Sequence, residues 1–300
     1  MRTYEYIQTS VFTDDRYTFS GNQLATFGEL AESDLTDEEM QGITREMAFS
    51  ETTFVLPPQK FKCVRKVRIF TPGREIPFAG HPTLGTAFVL RHMGIISSSE
   101  DEACLELGIG PTPVSFQDPD LVRMKQRKPE FLVDFPDRSI LAEVLGISQE
   151  QISEEWAPQF VSTGFPYLIV PIRSLSAIRA INFNAARLVA LQNFPSREIL
   201  TFCKETVHSD SDIHVRMFAP EAGVPEDPAT GSAAGPLAAY LEFHEVLSNH
   251  QKGTEIVSEQ GYEINRPSQL YATCHYDGPE ITRVAVSGHV RLTAKGTFFL

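Results

Sequence analysis

Three ionisable side chains stand where their neighbours could put them to chemical use: Glu51, His81 and Asp227. Glu51 lies between Phe49 and Phe54, where an expected helix gives way to an expected strand. Partial burial there would raise its carboxyl towards the range of a general acid or base. His81 and Asp227 each open a similar run, His81-Pro82-Thr83-Leu84-Gly85-Thr86 and Asp227-Pro228-Ala229-Thr230-Gly231-Ser232. Asp is a favoured N-cap and Pro suits the first helical position, so Asp227-Pro228 is expected to begin a helix. The first turn of a helix offers unsatisfied N–H groups and a partial positive charge to carboxylates and phosphates. Gly80, Gly231 and Ser232 are therefore expected to present backbone N–H groups, and Ser232 its hydroxyl, to an anion. Plainer roles stay open at this point: a solvated turn residue for Glu51, a structural histidine for His81, and helix capping alone for Asp227.

Glycine costs about 1 kcal/mol against alanine inside a helix, so Gly231 and Gly235 close together need a reason. The reason expected here is close approach, by other backbone along the helix flank and by a ligand at its N-terminus. The two small-residue runs keep a constant offset close to half of the 300 residues, and Ile69-Phe70-Thr71-Pro72 resembles Met217-Phe218-Ala219-Pro220 ahead of them. Pro, Gly and a hydroxyl residue in register point to two halves built alike.

Periodicity supplies the elements that must hold these residues. Alternating or β-branched stretches predict strands over 4–12, 24–27, 52–56, 62–70, 103–107, 113–117, 121–126, 131–135, 159–162, 167–172, 199–204 and 213–218. Four more follow over 255–258, 269–275, 283–286 and 290–294. Thr36 and Glu39 form a capping box for a helix through Met47, with Met40, Ile43 and Met47 at helical spacing. Further helices are expected over 82–93, capped by Gly94, over a short stretch ending at Gly146, over 184–192, and after Asp227. Many short strands and one apolar, small-residue helix per half suggest an α+β architecture in which a barrel wraps a helix, twice; an ordinary pair of sheets with helices on one face stays open. The domains are placed at 1–120, joined by a returning last strand over about 283–300, and at 121–282.

The chain is 42% hydrophobic, enough for two ordinary cores, and its formal charge of −13 argues against nucleic acid or an anionic membrane as partner. Cys63, Cys104, Cys203 and Cys274 stand far apart in sequence without a CxxC pair, so neither a disulfide framework nor a zinc site is expected. The remaining histidines show no metal-binding spacing. The first residues read as a strand rather than a signal peptide, and no apolar run approaches the about 20 residues of a membrane span. A cytoplasmic protein is the expectation.

Ser20-Gly21-Asn22, Ser50-Glu51-Thr52-Thr53-Phe54-Val55-Leu56, Pro77-Phe78-Ala79-Gly80-His81-Pro82, Glu226-Asp227-Pro228-Ala229-Thr230-Gly231-Ser232-Ala233 and Gly261-Tyr262-Glu263-Ile264-Asn265-Arg266-Pro267-Ser268 run in this order through nearly the whole chain. In these motifs the sequence resembles the phenazine-biosynthesis PhzF-like family. That resemblance implies the diaminopimelate epimerase fold: two pseudo-symmetric barrels, each around a central helix, with the active site between them. It implies an isomerase that uses no cofactor and no metal. Glu51 would be the acid/base, moving a proton on a small cyclic, carboxylate-bearing metabolite, with His81 and Asp227 as the other catalytic positions. In related cysteine-dependent racemases these two positions carry catalytic thiols; here no cysteine is near them, which excludes that mechanism. Asn22, Ser50, Gly80, Thr230, Gly231 and Ser232 would contact substrate, although Asn22 also reads as a turn residue. Dimers are common in the family, which leaves a homodimer open. The competing functions are an epimerase-type proton exchange and a ligand-binding protein that has lost turnover.

Overall fold

A computed structural model describes residues 1–191, 195–248 and 250–300. The chain divides into one unit of Met1–Lys125 with Ser287–Leu300 and another of Gln126–Val286. In chain order the first part holds β1 (Thr3–Val11), β2 (Asn22–Phe27), α1 (Asp37–Met47), β3 (Glu51–Leu56), β4 (Arg65–Phe70), β5 (Glu75–Ile76), α2 (Gly80–His92), β6 (Glu102–Leu107), β7 (Gly110–Phe116) and β8 (Leu121–Gln126). Then come β9 (Glu130–Asp134), α3 (Arg138–Leu145), β10 (Gln159–Ser162), β11 (Pro166–Pro171), α4 (Leu175–Arg179), α5 (Ala185–Val189), β12 (Ile199–Cys203), β13 (Ile213–Ala219), β14 (Val224–Asp227), α6 (Gly231–Phe243), β15 (Glu255–Gln260), β16 (Ser268–Asp277) and β17 (Glu280–Phe299).

The expected repetition is present in the strand pairing. Antiparallel, parallel, antiparallel, parallel and antiparallel pairs succeed one another along β1–β2–β3–β4–β6–β7. The same succession runs along β10–β11–β12–β13–β15–β16. Each series carries a short hairpin strand, β5 on β4 and β14 on β13, just before its small-residue helix. In the first unit β8 follows β7, the Val290 N–H of β17 donates to the Asp120 carbonyl beside β8, and β17 pairs with β1, so the barrel closes.

Side chains on a strand alternate between its faces, and in the first unit this sorts them cleanly. Asn22, Leu24 and Thr26 of β2 and Glu51 and Thr53 of β3 face α2. Phe27 and Phe54 point the other way and stack at 5.2 Å between ring centres, under α1. A Cβ on Gly85 would lie 2.6 Å from Leu24 Cδ2 and 2.8 Å from Val11 Cγ2, so only glycine lets α2 sit this near β1 and β2. At that separation the Thr86 hydroxyl donates to Thr53 Oγ1 (2.9 Å) and Thr53 donates to Thr26 Oγ1 (3.0 Å), tying α2, β3 and β2 together in the interior. In the second unit α6 is buried at nearly every position, and a Cβ on Gly235 would meet Gln126 Oε1 at 1.9 Å. In both helices the close neighbour is a side chain, not the backbone that the sequence led one to expect.

Several boundaries differ from expectation for local reasons. The helix expected from Asp227-Pro228 begins only at Gly231, because Asp227 still pairs with Met217 in the β13–β14 hairpin. The Asp227 carbonyl, which would accept the first helical hydrogen bond, accepts instead from Gln260 Nε2 at 2.7 Å. His81, by contrast, lies inside α2, whose N-cap is Ala79, so the two similar runs do not place His81 and Asp227 at equivalent points of their helices. The strand expected from residue 62 starts at Arg65. The helix expected over 184–192 is the short α5 capped by the Asn184 side chain, and Gln192 lies outside the described residues. Among the described residues no helix is long and apolar enough to cross a membrane.

The second unit also buries charge. His214 Nδ1 lies 2.7 Å from Glu259 Oε1 and its Nε2 lies 3.0 Å from Glu263 Oε1, while Arg216 holds Glu226 through two bonds of 2.8 and 2.7 Å. Burial opposes the charge on His214, but its bonds to Glu259 and Glu263 prevail and its pKa moves up from 6.5. Glu263 moves down from 4.5: burial opposes this, and the His214 bond and charge outweigh it.

Two predictions follow from these interiors. Replacing Thr53 with Val leaves the Thr86 hydroxyl without its acceptor and Thr26 without its donor, and is expected to destabilise by about 1–3 kcal/mol. The triple change of Thr26, Thr53 and Thr86 to Val should cost less than that single change, read from urea midpoints. For the buried imidazolium, a raised folded-state pKa means its stabilisation is complete below the unfolded value of 6.5 and is lost as pH rises through the folded value. The melting temperature of wild type above that of His214→Gln should therefore be greatest near pH 6, as about the unfolded pKa, and shrink in alkaline buffer.

Candidate active site

Asn22, Glu51 and His81 come together in the first unit. Gly21 turns the chain into β2 with φ of +78°, and a Cβ there would lie 2.6 Å from the Val11 carbonyl oxygen, so the Gly21 position delivers Asn22 to the barrel interior. The β2–β3 register pairs Leu24 with Glu51, which sets Glu51 beside Asn22's face of the sheet. His81, one residue into α2, fills the space between them. Asn22 Nδ2 lies 3.1 Å from His81 Nδ1, and His81 Nε2 lies 3.4 Å from Glu51 Oε2. The His81 side chain is 3% exposed and that of Glu51 13%, so the carboxyl is the member of the set that solvent or a ligand can reach. Burial pulls the imidazole down to about 3, against a smaller upward effect of a hydrogen bond with the Gln23 backbone. The ring is therefore neutral at ordinary pH, with one N–H and one lone pair. Ser50 is half-buried in the bend just before Glu51, and Gly80 is the first residue of α2.

The second unit gathers Asp227, Thr230, Gly231 and Ser232. The Thr230 hydroxyl donates to Asp227 Oδ2 at 2.5 Å, and Asp227 is buried. Gln260, at the end of β15, organises this turn. Its Nε2 donates to the Asp227 carbonyl (2.7 Å) and to Thr230 Oγ1 (3.0 Å), and its Oε1 accepts from the Thr230 N–H (3.2 Å). Because Thr230 Oγ1 accepts from Gln260, its own proton is directed at Asp227. Gly231 and Ser232 are the first two residues of α6, where N–H groups precede the first intrahelical bonds. Ser232 Oγ lies 2.7 Å from the Tyr167 hydroxyl, and Gln126 Nε2 donates to the Gly231 carbonyl at 2.8 Å.

Gln260, Tyr167 and Gln126 were not singled out by sequence. For Gln260 the signal was there: Ser258, Glu259 and Gln260 are three consecutive polar residues in a strand, all buried, directly before the Gly261 motif. Tyr167 and Gln126 sit in ordinary strands and offered none. Among the described residues, no group of three or more His, Cys, Asp or Glu side chains is disposed to hold a metal ion.

The family model for phenazine biosynthesis-like proteins matches residues 9–296. The chain belongs to the PhzF-like family. Among its PhzF-like relatives it is 35% identical over 300 residues to the trans-2,3-dihydro-3-hydroxyanthranilate isomerase of Pseudomonas aeruginosa, covering 99% of this chain and 100% of the relative. The solved phenazine biosynthesis protein of the PhzF family from Bacillus anthracis superposes with a TM-score of 0.88 at 27% identity, covering 100% of both chains. A probable proline racemase from Agrobacterium radiobacter superposes with a TM-score of 0.64 at 11% identity, over 99% of this chain and 93% of that one, and so shares the PhzF-like fold alone. The α+β fold of helix-centred barrels is thus that of the family and of this probable racemase.

Gln260→Leu tests the organisation of the second set. Leucine fits the volume but strands the Thr230 N–H and the Asp227 carbonyl, each at about 1–3 kcal/mol when buried without a partner. The variant is expected to melt at lower temperature, with Gln260→Glu intermediate because it keeps the acceptor for the Thr230 N–H. Equal melting of all three proteins would show that Gln260 does not hold the turn.

Proposed function

We propose that this PhzF-like chain is an isomerase that shifts a proton on a small, carboxylate-bearing ring metabolite without a cofactor, with Glu51 as the acid/base. The observation that carries this reading is the contact between the accessible Glu51 carboxyl and the buried, neutral His81 ring, itself held by Asn22. An isomerase must take a proton from one carbon and return it to another, so its acid/base group needs a partner that suits both of its states. A neutral imidazole does this. With Asn22 donating to Nδ1, the ring proton sits on Nε2 and faces the ionised Glu51. With the Asn22 amide turned so that its oxygen accepts a ring proton on Nδ1, the Nε2 lone pair faces a protonated Glu51. The 3.4 Å separation is long for a hydrogen bond, and such contacts commonly tighten in the substrate complex.

In this reading Asp227, fixed by Thr230 and Gln260, accepts from a donor group of the substrate, and N–H groups at the start of α2 (Gly80) or of α6 (Gly231 and Ser232) receive its carboxylate. Asn22, Ser50 and Thr230 complete the binding set. The name of the Pseudomonas aeruginosa relative supplies a first substrate to test, a ring diene bearing carboxylate, amine and hydroxyl groups.

Glu51→Gln keeps shape and hydrogen bonding but cannot carry a proton. It is expected to lower turnover by about 10²–10⁴-fold or more, with binding and melting temperature close to wild type. Initial rates on trans-2,3-dihydro-3-hydroxyanthranilate and related cyclic acids in deuterated water, with ligand titration, provide the check. Near-parental turnover by Glu51→Gln would remove the acid/base role from this residue. Deuterium exchange at a stereocentre without movement of the double bonds would favour an epimerase instead.

A further inference from the structure

Cys63 and Cys104, distant in sequence and without a role in the chemistry above, are brought together in the first unit with their sulfurs 3.2 Å apart. Their distance in sequence is no bar to contact, because β4 and β6 lie side by side in parallel although α2 separates them along the chain. The backbone on both sides is fixed. The Val64 N–H donates to the Cys104 carbonyl at 2.8 Å, and the Cys63 N–H donates to the Lys60 carbonyl at 3.2 Å. The loop before Cys63 is pinned to β6 by Glu106, whose Oε2 accepts from the N–H groups of Gln59 (2.7 Å) and Lys60 (2.8 Å). A disulfide needs its sulfurs at about 2.05 Å, so side-chain rotation alone must close a gap of about 1 Å.

We propose that Cys63 and Cys104 form a dithiol that hydroperoxides convert to a disulfide, an oxidative modification site at the end of the barrel remote from Glu51. Its position follows from the register: β3 pairs Leu56 with Lys66, so Cys63 lies beyond the end of β3 opposite to Glu51.

The environments of the two sulfurs set the order of steps. Cys104 is the more exposed, while Cys63 is buried. Burial, the contact with Cys104 and the nearby Glu106 charge push the Cys63 thiol up to about 12, so it keeps its proton and donates it towards Cys104. Cys104 Sγ, as thiolate, attacks one oxygen of the hydroperoxide. The O–O bond breaks, the terminal oxygen stays with its hydrogen on Cys104 as a sulfenic acid, and the departing alkoxide takes up the proton released when the Cys104 thiol ionised and leaves as an alcohol. Cys63 Sγ then attacks Cys104 Sγ; the S–S bond forms, the S–O bond breaks, and the hydroxyl departs as water with the Cys63 proton. Two thiols give up two electrons and the peroxide takes both, ending as alcohol and water. Cys203 and Cys274 are internal controls: both are buried, and Cys203 donates to the Glu205 carbonyl at 3.2 Å instead of meeting a thiol.

The test is graded exposure of the reduced full chain to hydrogen peroxide, followed by alkylation under denaturing conditions, intact mass and non-reducing peptide mapping. The expected result is loss of two hydrogens, one linked peptide pair joining Cys63 to Cys104, full alkylation of Cys203 and Cys274, and reversal by dithiothreitol. The oxidised protein should melt above the reduced one. Cys104→Ser should abolish the link, and Cys63→Ser should accumulate a sulfenic acid at Cys104 that dimedone traps. Over-oxidation of wild-type Cys104 without a link, a link through Cys203 or Cys274, or a chain that stays fully reduced would each overturn the proposal.

Discussion

The distance between α2 and the strands beneath it governs the first unit. Gly85 sets that distance, since any Cβ there would drive into Leu24 and Val11. With the helix seated, Thr86 reaches Thr53 and Thr53 reaches Thr26, and the three hydroxyls satisfy one another in the interior. One turn towards the helix N-terminus the same seat brings His81 between Asn22 and Glu51. The Asn22–His81–Glu51 contacts are therefore placed by a missing methyl group as much as by their own polar atoms. A helix held farther out would part the Thr86 hydroxyl from Thr53 and the imidazole from Asn22 and Glu51, and burying polar groups without partners is costly.

The two units solve the burial of a histidine in opposite ways. His214 is enclosed by two carboxylates and takes a charge, so it serves to hold β13, β15 and the turn at Tyr262–Ile264 together. His81 is buried beside an amide and against a single, partly exposed carboxyl, and stays neutral. A fixed ion pair is well suited to holding strands and poorly suited to exchanging protons, because either change of state leaves a charge unpaired in a poorly solvated site. The neutral ring avoids that: it can offer a proton or a lone pair without altering its own net charge.

Much of this was legible in the chain before any coordinates. The capping box at Thr36 and Glu39, the strand beginning near Glu51, and the small-residue helices follow from local rules that tertiary packing did not override. The duplication was visible as well, though the letters that matched were not the positions that matched. Pairing of Asp227 with Met217 and capture of its carbonyl by Gln260 delay α6, and both partners lie far from the Asp-Pro signal in sequence. The same blindness hid the Cys63–Cys104 contact, which depends on a parallel pairing across an intervening helix. Sequence reading found residues whose own neighbours announce them; it missed those, such as Tyr167 and Gln126, whose significance is conferred by a distant segment.

The last strand, β17, begins in the unit formed by the middle of the chain and finishes by pairing with β1. Its final residues, from Thr3↔Phe299 to Val11↔Val290, complete the barrel that the opening residues start. On the ribosome β1 emerges before β17, with every other element between them. Until β17 has been made, β1 therefore has an unsatisfied edge, a row of N–H and C=O groups open to pairing with other strands. The unit that carries Glu51 and His81 is thus begun before the other unit and sealed after it, and the Asn22–His81–Glu51 set acquires its enclosure only once β17 has been made.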